Sequence, residues 1–218
     1  MVTDSLPYNP VRIAIGLAAV FLLSDCAEPP SANVVEPAQT GPAEIILPRG
    51  DIAAEAQLRT KLAMLSPTVR VDEAEKLALC AYKTSRRLAR EYRVVFPPAL
   101  NNILINTGGR KRGLCYQWTE DLLHQLDALK LETLELHWAE SGANTGAEHN
   151  VIVVTARGQA FGEGILLDLW RYSGSLVWTH VAMDPEYRWT ENKSELARRL
   201  GATRDVASKQ GRSTTKSN

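Results

Sequence analysis

The chain has 218 residues, 44% hydrophobic and 23% charged, which suits one folded domain with a core and some additional chain. Lys+Arg and Asp+Glu both number 25, so the basic excess that marks a nucleic-acid binder is absent. Three cysteines are too few for a fold built on disulfides.

Ile13 to Leu23 form an apolar run behind Arg12. It is short of the roughly 20 residues a bilayer-crossing helix needs, and it has the length of a secretory signal's apolar region. Leu23-Ser24-Asp25-Cys26 follows and resembles the lipobox of bacterial lipoproteins, which implies lipidation of Cys26 and a membrane anchor. Asp25 stands where that pattern has a small uncharged residue. Three readings stay open: a lipoprotein, a cleaved signal or short uncleaved anchor, and a misplaced start or buried helix. The first two make the protein exported, periplasmic or envelope-bound.

Residues 27–48 include Pro29, Pro30, Pro37, Pro42 and Pro48, which preclude a continuous helix and read as a linker after the 1–26 signal or anchor. Residues 201–218 are polar, lack aromatics and read as a disordered tail, leaving 49–200 as the domain.

Within that domain, Asp51 to Leu65 has helical periodicity, with Ala54, Leu58, Leu62 and Leu65 on one stripe. Asp72 to Tyr92 is a second helix, acidic in its first turn, with Leu77, Cys80, Ala81 and Leu88 facing inward. Pro97 and Pro98 end that region, and Asn101 to Arg112 reads as a loop. A third helix follows Cys115, with Trp118, Leu122, Leu126 and Leu129 as its apolar stripe.

The period then changes to two. Thr133 to Glu140 alternates as a half-buried strand, Glu148 to Thr155 is a β-branched strand, and Gly164 to Trp170 is a short apolar one. Helices that feed an antiparallel sheet make an α+β fold.

Three residue types needed for thiol catalysis occur in the order Cys115, His149, Asp168. The start of a helix lowers a thiol's pKa, and Cys115 sits at such a start, two places after Gly113. His149 opens one strand and Asp168 closes the next. Antiparallel pairing would bring them to one sheet edge, where the carboxylate can fix the imidazole tautomer.

Arg112-Gly113-Leu114-Cys115 with its helix, Glu148 to Val154, and Ile165 to Asp168 together resemble transglutaminase-like cysteine peptidases, over about residues 105 to 190. The resemblance implies a papain-like α+β core with Cys115 as nucleophile, His149 as general base and acid, and Asp168 as orienting carboxylate. It implies a thiol-dependent amide hydrolase or acyltransferase acting on a peptide or other amide, with no metal or organic cofactor. Gln117 and Asn150 stand where related bacterial chains often carry an acidic and a small residue.

The Cys115 backbone N–H is one oxyanion donor; Asn101, Asn102, Asn106, Gln117 and Trp118 are candidates for the second, with Asn106 and Gln117 preferred. Trp118, Trp170 and Trp178 are candidate walls of a substrate cleft, the last two in an aromatic-rich stretch that also precedes Trp189. His124, His137 and His180 read as structural or solvated, His137 pointing outward on its strand. A zinc site from Cys115, His137, His149 or His180 lacks close ligand spacing. Glu163, Asp184 and Glu186 read as solvated turn residues. The other function class is the same fold as a catalytically inactive binding or assembly module at the envelope, with a protein partner.

Overall fold

The computed structural model describes residues 49–201; the signal, lipidation, linker and tail readings at 1–48 and 202–218 lie outside them. The described chain runs α1 (Arg49–Ala63), α2 (Val71–Glu91), α3 (Pro98–Asn106), α4 (Cys115–Asp127), β1 (Leu134–Ser141), β2 (His149–Ala156), β3 (Ile165–Asp168), β4 (Val177–His180) and β5 (Thr190–Glu191). A last helix, α5, takes in residues 193–201, so Gly201 is helical rather than the start of a tail. Asn192 caps it, its Oδ1 accepting from the Glu195 N–H at 2.9 Å.

The five strands form one antiparallel sheet in the order β4-β3-β2-β1-β5. The fold is therefore α+β. β4 and β5 escape a reading by alternation, being four and two residues long.

Every residue of β2 is buried, which a central strand covered on both faces requires. Ile152 and Val154 enter the main core with Leu58, Leu62, Leu77, Leu88, Trp118 and Leu122. Val151 and Val153 meet Ala139, Leu166 and Val181 on the other face, under Phe161 and Trp189. Burying each of these aliphatic side chains is worth about 1.5–3 kcal/mol by transfer.

The covered second face corrects the outward reading of His137. That ring is buried, with Nδ1 2.7 Å from Glu191 Oε1 and Nε2 2.8 Å from Thr155 Oγ1. Cys80 lies half-buried at the margin of the main core.

The reading of 101–112 as loop is also corrected. Pro98 lies in the first turn of α3, where a missing N–H costs nothing, and no helix breaker follows before Thr107. A further side chain ties distant segments. Glu73, 4% exposed in the first turn of α2, accepts from Glu132 N, Thr133 N and Thr133 Oγ1 at 2.7–2.9 Å. Burial raises its pKa, but these hydrogen bonds hold the carboxyl below its ordinary value.

Candidate active site

Cys115 is the first residue of α4, preceded by Leu114 in extended conformation and by Gly113 at φ 131°, a region glycine tolerates and L side chains avoid. Gln117 Oε1 accepts from the Gly113 and Leu114 N–H groups at 2.8 and 3.1 Å, which fixes how the chain enters the helix. The Gln117 and Trp118 N–H groups both donate to Leu114 O, at 2.9 and 3.2 Å. Helix geometry leaves the N–H groups of Cys115 and Tyr116 without intrahelical acceptors, directed past the end of α4. Trp118 Nε1 donates to Gly113 O at 3.0 Å, bracing the same turn.

In the β2–β3 register, Ile152 faces Leu167 and Val154 faces Ile165. The start of β2 therefore lies beside the end of β3. His149 and Asp168 meet there, Nε2 to Oδ2 at 2.7 Å, with the two side chains 2% and 1% exposed. Cys115 Sγ lies 3.5 Å from the Glu148 carbonyl and 3.9 Å from Asn150 Oδ1, at the same strand start. With Nε2 taken by Asp168, Nδ1 is the ring nitrogen left for Cys115, and it is buried with no hydrogen-bond partner among the described residues. The three residues read from the sequence as a triad thus share one site.

Burial opposes a charged imidazole. Hydrogen bonding and electrostatic attraction from Asp168, with Cys115 adding to both, more than offset it, and the pKa of His149 rises from 6.5 to about 9. Burial likewise pushes Asp168 up. The hydrogen bond and charge of His149, with the Arg171 N–H and guanidinium, reverse that and hold it below the ordinary carboxylate value.

The sign of the resulting pH dependence follows. The His149 contribution to stability is full below pH 6.5 and lost as pH rises through about 9, while that of Asp168 is present above its ordinary pKa and lost toward acid. Thermal melting of the full chain should show His149→Gln less stable than wild type at pH 6, by on the order of 3 kcal/mol. The difference should shrink by pH 9.5; one that stays constant over this range contradicts the assignment.

Behind the carboxylate lies a network the sequence did not reveal. Asp168 Oδ1 accepts from the Trp170 and Arg171 N–H groups at 2.9 and 3.0 Å, and Oδ2 from Arg171 Nε at 3.0 Å. The same guanidinium donates to Asp184 at 3.3 and 2.7 Å. Asp184 is buried rather than solvated, and it also accepts from Trp189 Nε1 at 2.9 Å and the Glu186 N–H at 3.0 Å. Burial raises its carboxyl, but Arg171 and these donors bring it down to about 2.

Aromatic rings enclose His149: Trp170 at 4.9 Å, Tyr187 at 4.8 Å and Trp189 at 5.5 Å between centroids. The Arg171 guanidinium lies over the Tyr187 ring at 4.7 Å.

The remaining candidates separate. Trp170 adjoins His149, but Trp118 is 1% exposed in the main core. Trp178 sits on β4, its indole donating to Tyr82 Oη at 3.0 Å. Asn106 is exposed at the end of α3. Asn101 is committed to the Val95 backbone and Arg110. Asn102 is half-buried, and its Oδ1 lacks a partner among the described residues.

Gln117's oxygen is spent on the cap, which leaves its NH₂ as the part able to donate. Asn150, 3% exposed beside the sulfur, was missed as a site residue. Strand alternation is the signal for it: if His149 takes one face of β2, residue 150 points to the helix layer that holds Cys115. Among the described residues no three His, Cys, Asp or Glu side chains are grouped as a metal site needs. Comparison with family models, curated proteins and solved structures returned no match to the chain.

Proposed function

We propose that the protein is a thiol-dependent amide hydrolase or acyltransferase of transglutaminase-like type, acting at the bacterial envelope. One observation carries the chemistry: a single imidazole held by Asp168 through Nε2, with Cys115 at a helix start against its other side. The apolar run before Cys26 supports the location.

In the reaction, the Cys115 thiolate, formed beforehand by proton transfer to Nδ1, adds its sulfur to an amide carbonyl carbon. The carbonyl electron pair moves onto oxygen, facing the Cys115 and Tyr116 N–H groups. Collapse breaks the C–N bond as imidazolium Nδ1–H protonates the leaving nitrogen, and a thioester remains on Cys115. Neutral His149 then takes a proton from water, or from a second amine, as that group attacks the thioester; the thiolate departs and the imidazolium is regained. Asp168 stays ionised throughout and keeps Nδ1 directed at the sulfur.

The test is acyl-enzyme trapping. The full chain carrying Cys26→Ala and Cys80→Ala, mixed with activated peptide esters, should gain one acyl mass that maps to Cys115 and that hydroxylamine removes. Adding Cys115→Ser should abolish the hydroxylamine-labile adduct. An adduct-free protein would point instead to a binding module on the same fold.

A further inference from the structure

The segment that delivers the chain to Cys115 also builds a cavity. Residues 109–112, with Glu91, Tyr92 and Arg93 at the end of α2, line a space of about 500 Å³. Four of the lining side chains are cationic: Arg93, Arg110, Lys111 and Arg112. Arg112 is balanced by Asp121 at 2.8 Å, and Glu91 is taken by Arg87 at 2.9 Å.

The other three lack acidic partners among the described residues. Arg110 donates to the neutral oxygens Asn101 Oδ1 at 2.6 Å and Tyr92 O at 3.4 Å. Arg93 and Lys111 make no ion pair among the described residues. Three uncompensated positive charges thus border one cavity in a chain whose net charge is zero.

The arrangement is built rather than a chance meeting of solvated side chains. Asn101 is 3% exposed and gripped at both ends by the Val95 backbone, at 3.0 and 2.6 Å, and it holds the half-buried Arg110 in place. A guanidinium held on neutral acceptors keeps its full charge for a ligand, and its planar fork matches a carboxylate.

We infer that this cavity seats a carboxylate of the substrate, making carboxylate-bearing peptides the substrate class. The inference rests on the acyl-transfer reading of Cys115. Arg112 is three residues from Cys115, a reach of at most about 10 Å along the chain. The carboxylate then lies two or three residues from the amide that meets the thiol. It comes from an acidic side chain or from the end of the peptide.

The test is binding by the full-length Cys115→Ala protein, followed by fluorescence anisotropy. One labelled peptide carries internal glutamates and an amidated end, a second has glutamines and an amidated end, and a third has glutamines and a free end. The first or the third should bind about tenfold more tightly than the second. Which of them does so identifies the source of the carboxylate.

The preference should shrink at high salt. It should weaken when Arg93→Gln and Lys111→Gln are combined, both being exposed positions, and be lost when Arg110→Gln is added. Equal binding of all three peptides, no binding by any, or a carboxylate preference that survives the triple substitution would overturn the inference. Because this protein lacks the thiol, the result is independent of acyl trapping, which alone decides the chemistry.

Discussion

Iodoacetamide is expected to modify Cys115 of the full chain at pH 7 at least about tenfold faster than Cys80 in the same molecule. The two thiols differ in the features that govern thiolate formation. Cys80 sits within α2, half-buried, and burial pushes its thiol above the ordinary value despite a contact from Thr84. Cys115 opens α4 beside an imidazole that keeps its proton up to about pH 9. The helix start is worth about 0.3–1 kcal/mol to an exposed anion, less than the roughly 1.4 kcal/mol of a tenfold difference, so His149 and the burial of Cys80 supply the remainder.

His149→Ala should therefore slow modification of Cys115 and narrow its advantage over Cys80. Asp168 keeps the Arg171 guanidinium in that variant, so the fold should persist, which a melting curve checks. Peptide mapping reads Cys115 and Cys80 separately and makes Cys80 the internal standard. Equal rates at the two cysteines, or a rate at Cys115 untouched by the substitution, would remove the basis for acyl transfer.

The legible part of this site depended on local period. Residues 148–155 and 164–170 declare two strands separated by a short connection, and antiparallel pairing then brings His149 to Asp168 without knowledge of any long-range contact. Cys115 is legible for a similar reason, since an apolar stripe beginning at Trp118 and a glycine at 113 mark where the helix must start.

What supports the triad was not legible. Arg171, Asp184, Tyr187 and Trp189 lie in stretches with little regular period. An aspartate in a turn reads as solvated unless a guanidinium thirteen residues earlier is known to reach it. His137 failed in the same way. Alternation assigns it to the opposite face from Leu136 and Trp138, but whether that face meets water depends on Phe161 and the chain after β3. The error at α3 was different in kind: a proline pair was read as a stop, although proline is equally at home in a helix's first turn.

Replacing Arg171 by methionine is expected to destabilise the protein by about 3–5 kcal/mol at pH 7, the cost of breaking a buried ion pair from one side. One guanidinium, its side chain 8% exposed, lies between two carboxylates whose side chains are 1% and 0% exposed. Without it, the His149 imidazolium can balance Asp168. Asp184 is left with the Trp189 indole and a backbone N–H against a full buried charge.

Three further outcomes follow from that asymmetry. Arg171→Lys should recover only part of the loss, since an ammonium cannot reproduce the fork that engages Asp168 through Nε and Asp184 through both terminal nitrogens. Adding Asp184→Asn to Arg171→Met should restore stability rather than lower it further, because the uncompensated charge is then gone.

The gap between wild type and Arg171→Met should also narrow on acidification. The depressed pKa of Asp184 stabilises the wild type above the ordinary carboxylate range, and that stability is lost as pH falls toward about 2. Urea unfolding of the four proteins at pH 7 and pH 3 measures all of this. A single-variant loss under about 1 kcal/mol would mean that Arg171 does not neutralise the pair, and the buried carboxylate that orients His149 would then need a different counter-charge.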